Sequence, residues 1–397
     1  MRNMDTEWQA QELRGDQGLP AAEGEQPREL QKQQKQQLRQ QEAHNREVHK
    51  GRGAVSNAAS RFLPTRSVPV ADGWALEQEP PPRPETTLLP DRTVKLITRN
   101  TSPDIPFDRS INPFKGCEHG CVYCFARPTH AYLDLSPGLD FETRIFYKTD
   151  VRKRLENELG RRGYECRPIA MGTNTDPYQP AEKTLQITRL ILETLLEWRH
   201  PVTIVTKGQL ILRDLDLLSE LARLNLVHVS VSITTLKNDL KTKLEPRTAS
   251  PAARLRMIEK LDAAGVPVGT MVAPVIPFVN DDEIEAIVAA AQQAGARKAA
   301  YILLRLPREV GPIFQEWLDE HYPLKAGRVE SAVREARGGK LYRSGWGQRM
   351  RGTGPIADLI SSRFARALAA NGLAGDDRMG ELRCDLFKPP GYQESLF

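Results

Sequence analysis

No stretch of about 18 apolar residues occurs in this sequence, so nothing in it reads as a membrane-spanning helix. The N-terminus has no apolar core behind a basic start, which argues against a secretory signal. Residues 1 to about 50 hold few large apolar side chains and are rich in Gln, Glu, Arg and Lys, as in Gln31-Lys32-Gln33-Gln34-Lys35-Gln36-Gln37. Such a stretch has too little apolar surface to offset the entropy of ordering, so a disordered arm is expected. Charge of one sign is not dominant: the net charge is +5 over 397 residues, which permits an anionic partner without requiring one. Cysteines are scarce, five in all, and three lie between residues 117 and 124. Thiols that few and that clustered argue against a disulfide framework and for metal ligands in a reducing compartment, by default the cytoplasm.

What the chain does contain is Asn112-Pro113-Phe114-Lys115-Gly116-Cys117-Glu118-His119-Gly120-Cys121-Val122-Tyr123-Cys124. The spacing is C-x₃-C-x₂-C, with an aromatic before the third cysteine. Thiolate-rich sites select zinc or an iron–sulfur cluster. A structural zinc needs four ligands, and the nearest extra donor, His119, sits between two cysteines where ligation would strain the loop. Three cysteines on a four-iron cluster leave one iron without a protein ligand, and that iron is free to bind a small molecule. A zinc-stabilised binding module is the competing reading.

After an extended connector, Pro80-Pro81-Pro82-Arg83-Pro84, the pattern becomes periodic. Short apolar or β-branched runs predict strands at Thr93–Ile97, Ser110–Pro113, Pro168–Gly172, Val202–Thr206, Val227–Ile233, Val266–Val272 and Ala299–Leu304. Helical spacing predicts helices at Asp150–Leu159 (Asp150 as N-cap), Glu182–Trp198, Leu210–Leu224, Pro251–Ala264, Asp281–Ala294, Arg308–Tyr322 and Ile356–Ala370. Six strands alternate with helices from Ser110 to Leu304, which implies a parallel α/β sheet with right-handed crossovers. Six units fall short of the eight that close a full barrel. The expected division is a linker arm over 1–92, the α/β domain over 93–324, and a C-terminal extension with a flexible tail over 325–397.

The cysteine loop resembles the signature of the radical S-adenosylmethionine (SAM) superfamily. Asn112-Pro113-Phe114-Lys115-Gly116-Cys117 and Thr175-Asp176-Pro177-Tyr178-Gln179-Pro180, with Glu182 beyond, are similar to the spore photoproduct lyase-like, or DNA repair photolyase, branch. The resemblance implies a partial (βα)6 TIM-like barrel with the cluster at the C-terminal ends of its strands. It implies a [4Fe-4S] cluster on Cys117, Cys121 and Cys124 and SAM bound at the fourth iron. An external donor reduces the cluster, and SAM is cleaved to a 5′-deoxyadenosyl radical that takes hydrogen from the substrate. In the superfamily's pattern Tyr123 packs against the adenine side. Thr173-Asn174-Thr175-Asp176 stands where the superfamily carries a Gly-Gly-Glu-like run that this chain lacks, which leaves Asn174 and Thr175 as candidates for the methionine amino group. Ser232 is the candidate for ribose or carboxylate, and Arg247 offers a guanidinium to a carboxylate. Cys166 and Cys384, the spare thiols, read as structural, and the donor of hydrogen to a product radical is unassigned.

A nucleic-acid substrate is one expectation and a peptide or small metabolite the alternative. The Arg343–Gly352 stretch mixes basic, aromatic and glycine residues around Trp346, a composition able to grip phosphates and stack a base. Its plainer reading is a loop whose tryptophan docks on the barrel. The last five residues, Gln393-Glu394-Ser395-Leu396-Phe397, resemble the peptide by which bacterial repair proteins dock on the sliding clamp. There Gln393 orients while Leu396 and Phe397 anchor.

Overall fold

A computed structural model describes residues 48–63, 84–375 and 379–389. The Gln-rich stretch, the Pro80–Pro82 connector and the tail residues Gln393, Leu396 and Phe397 lie outside the described residues. Among the described residues ten strands form two sheets. The main sheet has the order β10-β9-β8-β7-β6-β3-β2. Its members are β2 (Ile97–Arg99), β3 (Arg109–Ile111), β6 (Ile169–Met171), β7 (Val202–Thr206), β8 (Val227–Ser232), β9 (Val268–Val275) and β10 (Lys298–Leu303). All pair in parallel except β2, which runs antiparallel to β3. The six parallel strands are the six expected from sequence. The sheet stays open, with β2 and β10 at its two edges, as a partial barrel does.

Helices α1 (Val151–Leu159), α2 (Ile187–Glu197), α3 (Leu215–Arg223), α5 (Pro251–Ala263) and α6 (Ile284–Gln293) follow successive strands as crossovers, with a short α4 (Asn238–Leu244) after β8. Their apolar faces close over the sheet: Leu155, Ile191, Leu218, Met257 and Ile287 are fully buried in one core with Ile111, Val229 and Val268. The N-terminus of α5 is capped by Ser250, whose Oγ accepts from Ala253 N at 3.2 Å. Asp150 occupies the N-cap of α1 in the left-handed region (φ 51°), and its side chain caps no backbone N–H. It faces Arg154 instead, at 3.5 Å. The helix expected over Glu182–Trp198 breaks at Gln186 (φ 51°), leaving a single turn before α2. Beyond β10, α7 (Val310–His321), α8 (Pro323–Glu335) and α9 (Pro355–Ala370) build the C-terminal extension. Only the first and last of these three were expected.

The structure differs from the sequence reading most at the N-terminal side. A second sheet, β1 (Thr87–Asp91), β5 (Arg144–Lys148) and β4 (Phe114–Lys115), inserts beside the cysteine loop. Its central lysine pair converges on Asp91, with Lys148 Nζ at 2.7 Å and Lys115 Nζ at 3.1 Å. Within the arm expected over 1–92, residues 48–63 pack onto the domain, burying Ala54, Val55 and Ser60. They are held by hydrogen bonds from Gly53 N and Ala54 N to the Glu142 carboxylate and from the Arg52 and Ser60 side chains rather than by a large apolar face, which is why composition concealed them.

Candidate functional site

The cysteine loop leaves the C-terminal end of β3 and is fixed from three sides. Below, Cys117 N donates to Phe141 O at 2.9 Å, and Val122 N donates to Leu244 O at 3.1 Å. Within the loop, Gly116 and Gly120 take φ of 81° and 66°, which residues with a Cβ rarely adopt. From the β6 side comes the stretch Thr175–Gln179. Gln179 Oε1 accepts from Glu118 N at 2.9 Å while its Nε2 donates to Gly116 O at 3.2 Å. Asp176 Oδ2 meets His119 Nδ1 at 3.3 Å. The same carboxylate takes Thr206 Oγ1 at 2.6 Å, Lys207 N at 2.7 Å and Tyr178 N at 2.9 Å. Burial pushes the Asp176 carboxyl up, but His119 and these donors outweigh it and hold it at about 2. The two sequence segments that carried the branch resemblance are thus one unit, the second gripping the first.

A second buried network closes the site from β8. Glu245 is fully buried and accepts from Tyr123 Oη, from Thr234 Oγ1 at 2.6 Å and from Arg254 Nη2. Burial alone would raise its carboxyl. The charges of Arg254 and Lys207 hold it at about 2. Arg254 also donates to Ser232 O at 3.0 Å, tying the end of β8 into the network. The Lys207 ammonium, just past β7, lies 5.9 Å from the Tyr123 ring centre and makes no hydrogen bond or ion pair among the described residues. Burial lowers its pKa, and Glu245 and Cys121 more than offset that.

The structure brings the expected residues to one end of the sheet, with several already engaged. Cys117 and Cys121 are buried and Cys124 is half-buried, all as free thiols. Tyr123 is buried with its hydroxyl on Glu245. Thr175 Oγ1 donates to Phe114 O at 2.9 Å, so it latches the strand entering the loop. Asn174 N donates to Asn112 Oδ1 at 3.0 Å, and its side-chain amide has no partner among the described residues. Ser232 is buried at the end of β8. Arg247 Nη1 pairs with Glu118 Oε1 at 3.2 Å, inside the cysteine loop rather than with a surface acid. Sequence reasoning missed Lys207 and Glu245 as members of the site. The usable signal was their place just beyond β7 and α4, where polar residues at strand ends gather in such sheets.

Three free thiols in one loop fit an iron–sulfur cluster, which takes one thiolate per iron. Burial pushes all three thiols up, Cys121 to about 12, so metal binding must displace their protons.

Comparison with known proteins agrees with this geometry. Residues 111–291 match the radical SAM superfamily model. An uncharacterized protein of Mycobacterium tuberculosis is 36% identical over 69% of this chain and 77% of its own length. One from Methanocaldococcus jannaschii is 26% identical over 54% of this chain and 76% of its own. The chain belongs to the radical SAM superfamily and is a radical SAM enzyme. Among solved structures, a point mutant of spore photoproduct lyase superposes with TM-score 0.53 at 17% identity, covering 72% of this chain and 79% of the lyase. The lyase complexed with dinucleoside spore photoproduct gives 0.51 at 16% identity, over 71% and 79%. This likeness is one of fold.

Proposed function

We propose that Cys117, Cys121 and Cys124 hold a [4Fe-4S] cluster, that SAM binds beside it, and that the substrate is a nucleic-acid lesion. The observation that carries the reading is the thiol loop at the C-terminal end of six parallel strands, clamped by Asp176 and Gln179. Bound there, the two cofactors supply reductive sulfonium cleavage and hydrogen-atom abstraction, with the electron coming from an external donor. The chain's own residues bind and orient. Lys207, with its ammonium uncommitted, offers a charge for the SAM carboxylate. Asn174 offers an amide carbonyl to the methionine amino group, with Thr175 Oγ1 as a second acceptor. Ser232 borders the site from β8. Tyr123, its hydroxyl locked to Glu245, keeps its ring in place and excludes water from one side. Arg247 has a partly exposed guanidinium whose remaining donors can meet a phosphate or carboxylate. Free, unpaired thiols suit a reducing compartment such as the cytoplasm.

A nucleic-acid substrate is supported by the surface next to the loop. Phe125, directly after Cys124, is partly exposed with the Arg305 guanidinium 4.8 Å from its ring centre. Trp346 is exposed rather than docked, with Arg349 at 4.7 Å. Exposed aromatics suit base stacking, while the Arg349 guanidinium is taken by Asp104 at 2.6 Å. The experiment is anaerobic reconstitution, followed by a 5′-deoxyadenosine assay under dithionite across damaged oligonucleotides, peptides and small metabolites. Brown protein that loses its colour in the triple Cys→Ala variant supports the cluster. A colourless protein with one tightly bound zinc would favour the binding module. Turnover confined to peptides or metabolites would move the substrate to the alternative class.

A further inference from the structure

The segment 51–55 touches the cysteine loop more closely than any packing by side chains allows. A Cβ added at Gly53 would stand 1.8 Å from Gly120 O, and one added at Gly120 would stand 2.7 Å from Glu142 Oε2. The two backbones therefore meet at van der Waals contact, between the first and second cysteines of the loop. Glu142, fully buried, joins them. Its Oε2 accepts Gly53 N at 3.0 Å, and its Oε1 accepts Ala54 N at 2.9 Å and Arg127 Nη2 at 2.5 Å. Arg127 Nε in turn donates to Cys121 O at 3.0 Å. A continuous set of hydrogen bonds thus runs from the segment to the backbone of the second cysteine.

Arg52 extends the contact. Its guanidinium donates to Glu142 O at 2.7 Å, to Pro84 O at 2.6 Å and to Thr86 Oγ1 at 3.2 Å. Thr86 Oγ1 donates onward to Glu118 Oε1 at 2.7 Å, the atom that Arg247 also approaches. Both guanidiniums thereby stand against the loop, on the side of Glu118.

We propose that Arg52 and Gly53 are positioning residues for the cysteine loop, so that residues 51–55 form part of the cluster site. This rests on the reading that Cys117, Cys121 and Cys124 bind the cluster. Gly53 lets the segment reach Gly120 and deliver two N–H groups to Glu142. Arg52 fixes the segment's entry and places a positive charge beside the loop, which favours the more negative, reduced cluster.

The test uses the full chain. Gly53→Val, Arg52→Gln and Arg52→Lys are compared with the natural protein and with Gly327→Val, a site in α8 where an added Cβ meets nothing within 4 Å. Iron and sulfide per chain, the cluster's reduction potential and protease cleavage within 48–63 are measured. Cleavage is read before and after reconstitution, so docking of the segment is followed without metal. Gly53→Val is expected to expose the segment to protease and to lower iron uptake several-fold, with Gly327→Val unchanged. Arg52→Gln is expected to shift the potential negative, and Arg52→Lys to restore part of that shift. Should Gly53→Val fail to fold, the Arg52 pair carries the test through the potential. Natural iron content in Gly53→Val, or an unmoved potential in Arg52→Gln, overturns the proposal. If the natural protein takes up no iron yet the segment is protected, the cluster reading has failed, and the role for Arg52 and Gly53 falls with it.

Discussion

The two ends of the parallel sheet are built from different interactions. At the C-terminal end, Asp176, Glu142 and Glu245 are desolvated carboxylates, each answered by an arginine or histidine and by donors from neighbouring loops. At the N-terminal end the described segment 379–389 lies across the strand starts. There Phe387 packs on Tyr164, Trp198 and His200, with ring centres 5.4, 6.1 and 5.4 Å away. Backbone contacts from Lys388 N to Trp198 O and from Arg383 N to Asn225 O hold the segment down. Apolar stacking tolerates small shifts and gives stability. Networks of desolvated charges fail when one member is lost, but they hold loops to a defined geometry. The polar construction sits where thiols must be positioned, and the aromatic one where only closure is needed.

The sharpest way to break this comparison is Asp176→Ala. It removes the acceptor of His119, Thr206 and the Lys207 N–H together, at a cost of about 3 kcal/mol. Denaturant titration should show that loss, and iron uptake should fall with it. At the opposite end, Phe387→Ala should cost about 2 kcal/mol, as truncation of a half-buried aromatic does. Iron per chain should stay at the natural level. Loss of iron in Phe387→Ala would show that the two ends are not separable.

A smaller effect is expected from acid. Burial holds His200 near 4, below its ordinary 6.5. Its Nδ1–H donates to Pro201 O at 3.0 Å, and its Nε2 accepts from Tyr164 Oη at 2.8 Å, an arrangement that needs the neutral ring. The unfolded chain takes up the proton below 6.5 and the folded chain does so only near 4. Stability is therefore complete above pH 6.5 and falls as the pH drops from 6.5 to 4. His130, near the cysteine loop and also lowered to about 4 by burial, acts with the same sign. Unfolding of His200→Asn between pH 7 and 4.5 should lose the His200 part of the slope and keep the part from His130 and His321, both lowered by burial. An unchanged slope would sink the assignment.

The legible parts of the molecule were those whose cause is local. Val202–Thr206 and Val227–Ser232 are β-branched runs, and each became a parallel strand. The cysteine spacing was legible because its three thiols are neighbours in the chain, and the superfamily match over residues 111–291 agrees with it. The small sheet was illegible because β4 is two residues long and pairs with β5 across an insertion. Helix α8 has a weaker apolar stripe, with Ala326 and Ala332 among its buried residues. The hydrogen-bond partners of the proposed SAM-binding residues were the hardest to foresee, since neighbouring loops supply them: Thr175 Oγ1 donates to Phe114 O and Arg247 pairs with Glu118. Residues 51–55 showed no apolar pattern at all, because a glycine approach and a distant carboxylate hold them.

The smallest expected effect on folding concerns the tail beyond residue 389. Gln393-Glu394-Ser395-Leu396-Phe397 follows Lys388-Pro389-Pro390-Gly391, which cannot continue a helix. We propose that Leu396 and Phe397 anchor in a sliding clamp's hydrophobic pocket, with Gln393 fixing orientation. The anchored segment 379–389 would then hold the partner at the end of the sheet away from the cysteine loop, leaving the Phe125 and Trp346 surface open to nucleic acid. A peptide spanning residues 388–397 should bind purified clamp with roughly micromolar affinity, worth about −8 kcal/mol. Leu396→Ala with Phe397→Ala should abolish that binding and leave both stability and iron content unchanged. Binding of the full chain to the clamp should survive added salt far better than any binding to DNA through phosphates, which should weaken steeply. Absence of peptide binding, or equal binding by the double variant, would remove the clamp from the list of partners.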